Sequence, residues 1–127
     1  MIFDASSIYR AIEVDLLEKL VEGKTIDLAP YELGNVLWKE IRRKRISLDE
    51  GAKLLAFISK TISLMEVLKI GTEEEVLRIA VESGLSYYDS SYLYASHLLD
   101  DILVSEDEKL LEAAAKKGIN ALRVEEI

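Results

Sequence analysis

The sequence predicts an α/β fold of three layers, with a five-stranded, mostly parallel sheet covered by helices on both faces. Three observations predict it. Short apolar runs alternate with longer segments of helical periodicity, in the order β-α-α-β-α-α-β-α-α-β-α-β. The apolar runs are short and nearly uniform, the pattern of strands buried on both faces by crossover helices. Half of the 127 residues are hydrophobic, enough for one core in a single domain spanning 1–127.

Met1 to Asp4 reads as a short buried strand. Ser6 or Ser7 then caps a helix through about Glu13, and Asp15 to Glu22 continues helical until Gly23 stops it. Thr25 to Ala29 is the second strand. Pro30 takes the first helical position, where a missing N–H costs nothing. Leu33, Val36, Leu37 and Ile41 mark the buried face of that helix, which ends in the basic run Lys39 to Arg45. Ser47 and Glu50 form a capping box for the next helix, which carries Leu48, Ala52, Leu55 and Ile58. Ile62 to Ile70 is the third strand. Thr72 to Glu75 reads as a second capping box, opening a helix to Glu82 that Gly84 ends. Asp89 or Ser90 caps a helix through Leu99, and Ile102 to Val104 is the fourth strand. Ser105 with Glu108 opens the last long helix, which Gly118 ends before a fifth strand at Ala121 to Val124.

Composition removes several classes of function. The formal net charge is −8, whereas a general nucleic-acid binder needs a basic surface to neutralise phosphates. Any nucleic-acid contact is therefore local or assisted by cations. There is no cysteine, which excludes disulfides, thiolate metal sites and thiol nucleophiles. No apolar run approaches the roughly 18 to 20 residues of a membrane span, and no signal-peptide pattern opens the chain. A cytoplasmic location is expected. The absence of glutamine, with only two asparagines and many Glu, Lys and Ile, is a compositional hint of a thermophilic source.

Topology then sorts the 24 acids. Right-handed crossovers bring the carboxyl ends of parallel strands to one edge, and open α/β sheets bind ligands outside that edge. Asp4 ends the first strand, and Glu32 and Asp107 each follow a strand by three residues. Asp100 and Asp101 precede the fourth strand and belong to the opposite edge. Asp89 opens a helix rather than following a strand, so topology alone does not place it. Each of these acids, taken singly, also suits a helix start, where the macrodipole is positive. Asp4 is the least ordinary, because a charge at the end of a buried strand needs compensation. Two carboxylates about 4 Å apart repel by roughly 1 kcal/mol in water and about 4 kcal/mol at an effective dielectric of 20. A cluster persists only when cations or protons neutralise it. Oxygen ligands without cysteine or a histidine pair favour Mg²⁺ or Mn²⁺.

Four segments carry a family resemblance across nearly the whole chain: Ile2-Phe3-Asp4-Ala5-Ser6, Tyr31-Glu32-Leu33-Gly34-Asn35-Val36-Leu37-Trp38-Lys39, Tyr88-Asp89-Ser90-Ser91-Tyr92 and Ile102-Leu103-Val104-Ser105-Glu106-Asp107. In this order and spacing they resemble the PIN-domain family of metal-dependent ribonucleases, in the small form of the VapC toxins of toxin–antitoxin pairs. The resemblance implies strand order 3-2-1-4-5 and an acidic pocket at the carboxyl edge. It also implies Mg²⁺- or Mn²⁺-dependent endonucleolytic cleavage of RNA, and a cognate antitoxin as partner. By the same analogy Asp4, Glu32, Asp89 and Asp107 are metal ligands and catalytic residues. Ser105 matches the hydroxyl position beside the fourth acid, and Ser6 and Asn35 are its companions in supporting the ligands. His97 departs from the family pattern, and the run Glu106-Asp107-Glu108 leaves more than one acid to fill the fourth place.

The remaining candidates are weighed against plainer roles. Arg10, under two turns beyond Asp4, is a substrate-phosphate candidate, although a solvated helix residue is the simpler reading. His97 has no partner for a specific role. Lys39 to Arg45 lies on a helix that runs away from the site, roughly 15 to 20 Å off, and also complements the helix C-terminus. Tyr87, Tyr88, Tyr92 and Tyr94 suit base stacking or, more simply, packing in the core or in a homodimer. A haloacid-dehalogenase-like phosphatase would need a second Asp two residues after Asp4, where Ser6 stands. A receiver domain is excluded because Glu66 and Arg123 do not fill its acceptor and lysine positions. The alternative that survives is a PIN-like module that binds RNA or protein through a silent acidic site.

Overall fold

The computed structural model describes residues 1–127. Its strands are β1 (Ile2–Phe3), β2 (Lys24–Ile26), β3 (Glu66–Leu68), β4 (Leu103–Val104) and β5 (Ala121–Leu122). They form one parallel sheet in the order β3-β2-β1-β4-β5, the predicted arrangement. Seven helices connect them: α1 (Ala5–Glu13), α2 (Leu17–Val21), α3 (Ala29–Arg42), α4 (Leu48–Leu64), α5 (Glu74–Ser83), α6 (Tyr87–Leu99) and α7 (Glu108–Lys116). A 3₁₀ turn at Val124–Glu126 follows β5. No helix is long and apolar enough to cross a membrane.

The three layers follow from β1. Successive strand residues face opposite sides, and Ile2 and Phe3 accordingly lie in different apolar clusters. Phe3 packs with Ile8, Leu20, Leu33 and Ile58 on the α1–α4 side. Ile2 packs with Ile26, Leu93, Leu103 and Leu110 on the side of α5, α6 and α7. Phe3 also explains Gly23, since a Cβ there would fall 2.6 Å from the Phe3 ring.

Several local expectations are corrected. The third strand is only Glu66–Leu68, because α4 runs on through Ile62 to Leu64. Ile62 is buried against the core from a helix, and an apolar run reads alike in either state. The second strand stops at Ile26, since α3 begins at Ala29 and Pro30 is its second residue. α1 is capped by Asp4, whose side chain accepts from the Ser7 N–H, and not by Ser6 or Ser7. α5 starts after Glu73 with no side-chain cap, so the expected box at Thr72 does not form. α6 is capped by Ser86 and not by Asp89 or Ser90. α7 is capped by Asp107, not by a box between Ser105 and Glu108. The capping box of Ser47 and Glu50 forms as expected.

Asp101 does sit on the far edge. Its carboxylate takes the Met1 amino group at 3.0 Å and Lys24 Nζ at 2.8 Å, joining the starts of β1 and β2 to the approach of β4. Burial alone would raise its pKa, but bonds from Lys24, the terminal amine and the Ile102 N–H outweigh that and hold it down to about 2. A depressed carboxyl stabilises the fold above its unfolded value and loses that contribution as pH falls through the folded one. Asp101→Asn is expected to cost on the order of 1 kcal/mol at neutral pH, with the difference from wild type vanishing near pH 2. Urea melts across that range check it.

Candidate active site at the carboxyl edge of the sheet

β1 ends at Phe3, and the next residue turns the chain directly into α1. That residue, Asp4, is only 5% exposed. Its Oδ1 accepts from the Ser7 N–H at 2.8 Å and from Ser6 Oγ at 2.7 Å, and its Oδ2 accepts from Ser105 Oγ at 2.5 Å. The compensation a buried charge requires is therefore supplied by hydroxyls and a helix start. The same hydroxyls reach the fourth acid's loop: Ser105 Oγ accepts from the Asp107 N–H, and Ser6 Oγ from the Glu106 N–H, both at 3.0 Å.

That loop resolves the three-acid run. Glu106 accepts from the Val124 N–H at 3.1 Å and lies 3.5 Å from Arg123. Glu108 also pairs with Arg123. Asp107 alone of the three lines the cavity beside Asp4, with one oxygen accepting from the Leu110 N–H at the start of α7.

Glu32 stands in the first turn of α3 and accepts a 2.6 Å hydrogen bond from the hydroxyl of Tyr92, which is buried in α6. Asp89 is three residues into α6. Because Ser86 caps that helix, accepting from the Asp89 N–H at 3.1 Å, the Asp89 carboxylate has no capping duty, and the Ser86 hydroxyl is the one protein donor that acts on it. Asp4, Glu32, Asp89 and Asp107 thus come from four different elements and line one open cavity of about 600 Å³, together with Asn35 and Lys39.

The electrostatics of the group run one way. Burial raises the Asp4 carboxyl above its usual range against the pull of its hydrogen bonds. Burial raises Glu32, opposed by the Tyr92 bond and reinforced by Asp4 and Asp89. Asp89 is raised by burial and by the charges of Asp107 and Asp4, against the pull of the Ser86 hydroxyl. Still, no three acid or histidine side chains are gathered closely enough to grip an ion in this arrangement. Asp4 spends both oxygens on protein donors, and Glu32 and Asp107 spend one each.

The other candidates separate clearly. Ser6 lines the cavity, Ser105 is wholly buried behind Asp4, and Asn35 faces the cavity without touching an acid. Arg10 is outside the cavity, its guanidinium 3.8 Å from Glu13. His97 is exposed on the last turn of α6, away from the acids. The basic run is not uniformly remote: Lys39 lines the cavity, seven residues or about 10.5 Å along α3 from Glu32. Arg42 instead lies over the Trp38 ring, 5.3 Å from its centroid, and Arg45 pairs with Glu40. The i, i+3, i+7 spacing of Glu32, Asn35 and Lys39 is the signal that identifies this face. Tyr31, also in the lining, was not singled out by its sequence context.

The Tyr92–Glu32 bond ties α6 to α3 across the site. Tyr92→Phe is expected to destabilise the protein by about 1.5 kcal/mol, the worth of a hydrogen bond to a charged group. A double-mutant cycle with Glu32→Ala measures it directly, and a coupling near zero would show the bond to be idle.

Searched against family models, the chain matches none. It is 40% identical over 117 residues to Exonuclease VapC9 of Pyrobaculum aerophilum, covering 91% of this chain and 84% of that protein. The chain belongs to the VapC family. Ribonuclease VapC3 of the same organism is 32% identical over 95 residues, covering 72% of this chain and 70% of that protein. The crystal structure of PAE2754, again from Pyrobaculum aerophilum, superposes with a TM-score of 0.83 at 34% identity, covering 98% of this chain and 90% of that one. The PIN-like fold expected of a VapC chain is the fold observed, including the 3-2-1-4-5 order.

Proposed function

We propose that this VapC-family chain is a metal-dependent endoribonuclease, with Asp4, Glu32, Asp89 and Asp107 as catalytic ligands of Mg²⁺ or Mn²⁺. The observation that carries the reading is the convergence of four carboxylates, from the end of β1, the first turns of α3 and α6 and the N-cap of α7, on one open cavity. The names of the relatives, an exonuclease and a ribonuclease, support phosphodiester hydrolysis as the reaction.

The donor set fits a hard cation. It is all oxygen, and Asp89, which caps no helix and meets only the Ser86 hydroxyl, is the natural first contact. Such an ion, when bound, supplies a water of lowered pKa and neutralises charge developing on the phosphate. Asp4 is the fixed member, locked by three hydrogen bonds. Glu32 is held by Tyr92 through one oxygen, with the other available. Lys39 is the one basic side chain in the lining and meets a non-bridging phosphate oxygen of the strand. Asn35 offers a neutral donor beside it.

A second reading, a silent PIN-like module that binds RNA or protein, is favoured by one observation, the ungathered carboxylates. Incubation with linear and circular RNA in Mg²⁺, Mn²⁺ or EDTA decides. Metal-dependent opening of the circle is the expected result. Degradation of linear RNA alone would make the chain an exonuclease, and no cleavage in either ion would leave the silent module. The toxin role carries its own expectations: a cognate antitoxin that co-purifies with the chain, a homodimer in solution, and a cytoplasmic location.

A further inference from the structure

Beside the acid cavity lies a second hollow of about 230 Å³ with mainly apolar walls, among them Ile26, Ile70 and Tyr87. It shares Leu28, Tyr31 and Tyr88 with the acid cavity, so the two are adjoining compartments with a tyrosine pair at their boundary. Tyr31 is 80% exposed and Tyr88 59% exposed, and neither belongs to a core cluster. Each stands one residue before a site acid, Glu32 or Asp89. Tyr87 is different: its hydroxyl donates to the Gly71 carbonyl at 3.2 Å and accepts from the Glu73 N–H at 2.9 Å, which fixes it as part of the wall.

Exposed aromatics that adjoin an apolar hollow mark a binding surface rather than a packing residue. The neighbouring compartment dictates the occupant. A chain of net charge −8 gains little by phosphate neutralisation, whereas a nucleobase is uncharged and offers a π-face to any aromatic ring. A phosphate seated at the acids carries its flanking base to within reach of the boundary the two compartments share.

We infer that Tyr31 and Tyr88 bound a nucleobase subsite, in which the base flanking the phosphate at the acids leaves its stack and occupies the apolar hollow against the two rings. The inference rests on the acid cavity being the nuclease site. It makes the substrate single-stranded at that nucleotide and gives only modest preference among bases, since stacking is tolerant of sequence.

The test is equilibrium binding of a labelled, mixed-sequence single-stranded oligoribonucleotide by fluorescence anisotropy, in Ca²⁺ in place of Mg²⁺. Tyr31→Ala and Tyr88→Ala are each expected to weaken binding roughly 5- to 150-fold, the stacking loss for one base. Tyr31→Phe and Tyr88→Phe should bind as wild type does, and all four should melt as wild type does. A strand of the same length built wholly of stable abasic nucleotides should bind wild type more weakly, and the alanine substitutions should cost nothing further on it. Wild-type affinity in the alanine variants would overturn the subsite and leave the pair as a contact for a partner protein. Equal binding of the wholly abasic strand by wild type, or no binding of either strand, would overturn it equally. The two readings fail separately: unaltered binding in variants of an enzyme that cleaves RNA sinks only the subsite. Tyrosine-dependent binding with no cleavage in any metal sinks only the nuclease.

Discussion

Asp89→Asn is expected to abolish metal-dependent RNA cleavage, by about 10³-fold or more, while leaving the metal-free protein as stable as wild type or more so. The activity estimate follows from the several kcal/mol that a correctly held ion contributes to the transition state. The stability estimate follows from the local structure. Ser86 caps α6 through its own hydroxyl, so the Asp89 carboxylate does not hold the helix start, and asparagine keeps an oxygen for the Ser86 hydroxyl. Its carboxyl is raised by burial and by Asp107 and Asp4. A raised carboxyl opposes folding once pH exceeds its unfolded value, and the cost grows until the folded value is passed. Removing the charge therefore gains on the order of 0.5 to 1 kcal/mol at neutral pH, modest because the group is half-exposed and screened. Activity assays and thermal melts on one preparation check both parts. Retained cleavage, or a marked loss of stability, would assign Asp89 to structure alone. Asp4→Asn is the poorer probe, since its carboxylate also caps α1 and takes bonds from Ser6 and Ser105.

Mg²⁺ or Mn²⁺ should raise the melting temperature of the wild type, by about 10 °C when the ion is in roughly hundredfold excess over its dissociation constant. Binding to the native state alone then contributes about 2.7 kcal/mol, and a chain of this length shifts by about 4 °C per kcal/mol. The effect has a pH signature. Asp4, Glu32 and Asp89 all bind protons more tightly than ordinary carboxyls, so protons compete with the ion and the metal-induced shift should shrink as pH falls into the acid range. The shift should also be lost in Asp89→Asn. No change at millimolar metal would sink the metal site.

The sequence made the sheet and its active edge legible for a physical reason. A charged residue straight after Ile2 and Phe3 announces both the end of a buried strand and a site that must compensate it. Asp107 and Glu32 follow from the same rule of parallel strands. Local signals failed where two structures share one pattern. Ile62 is equally apolar as the last turn of α4 or as the first residue of a strand, and β3 is an exposed edge with little burial to mark it. Helix starts were misassigned wherever several capping residues crowd together, because only three-dimensional contacts decide which oxygen meets which N–H. Asp4 took the role expected of Ser6, and Ser86 the role expected of Asp89. That second exchange matters most, because it leaves Asp89 free for the cavity. Lys39 is legible at helical spacing from Glu32, but the basic residues that follow it at the helix C-terminus mask it. Tyr31 opens one of the four family segments, but nothing local distinguishes an exposed tyrosine at a site from any other.

The three hydrogen bonds on Asp4 bear on how this fold would decay over evolutionary time. Its carboxylate joins the end of β1, the start of α1 and the residue after β4, so the scaffold itself selects for an acid there whether or not chemistry continues. Asp89 meets only the Ser86 hydroxyl of its own helix start and joins no other element. In a descendant lineage that abandoned turnover, position 89 would drift first and position 4 last. An intact Asp4 in a relative therefore testifies to the fold, and an intact Asp89 to a working site.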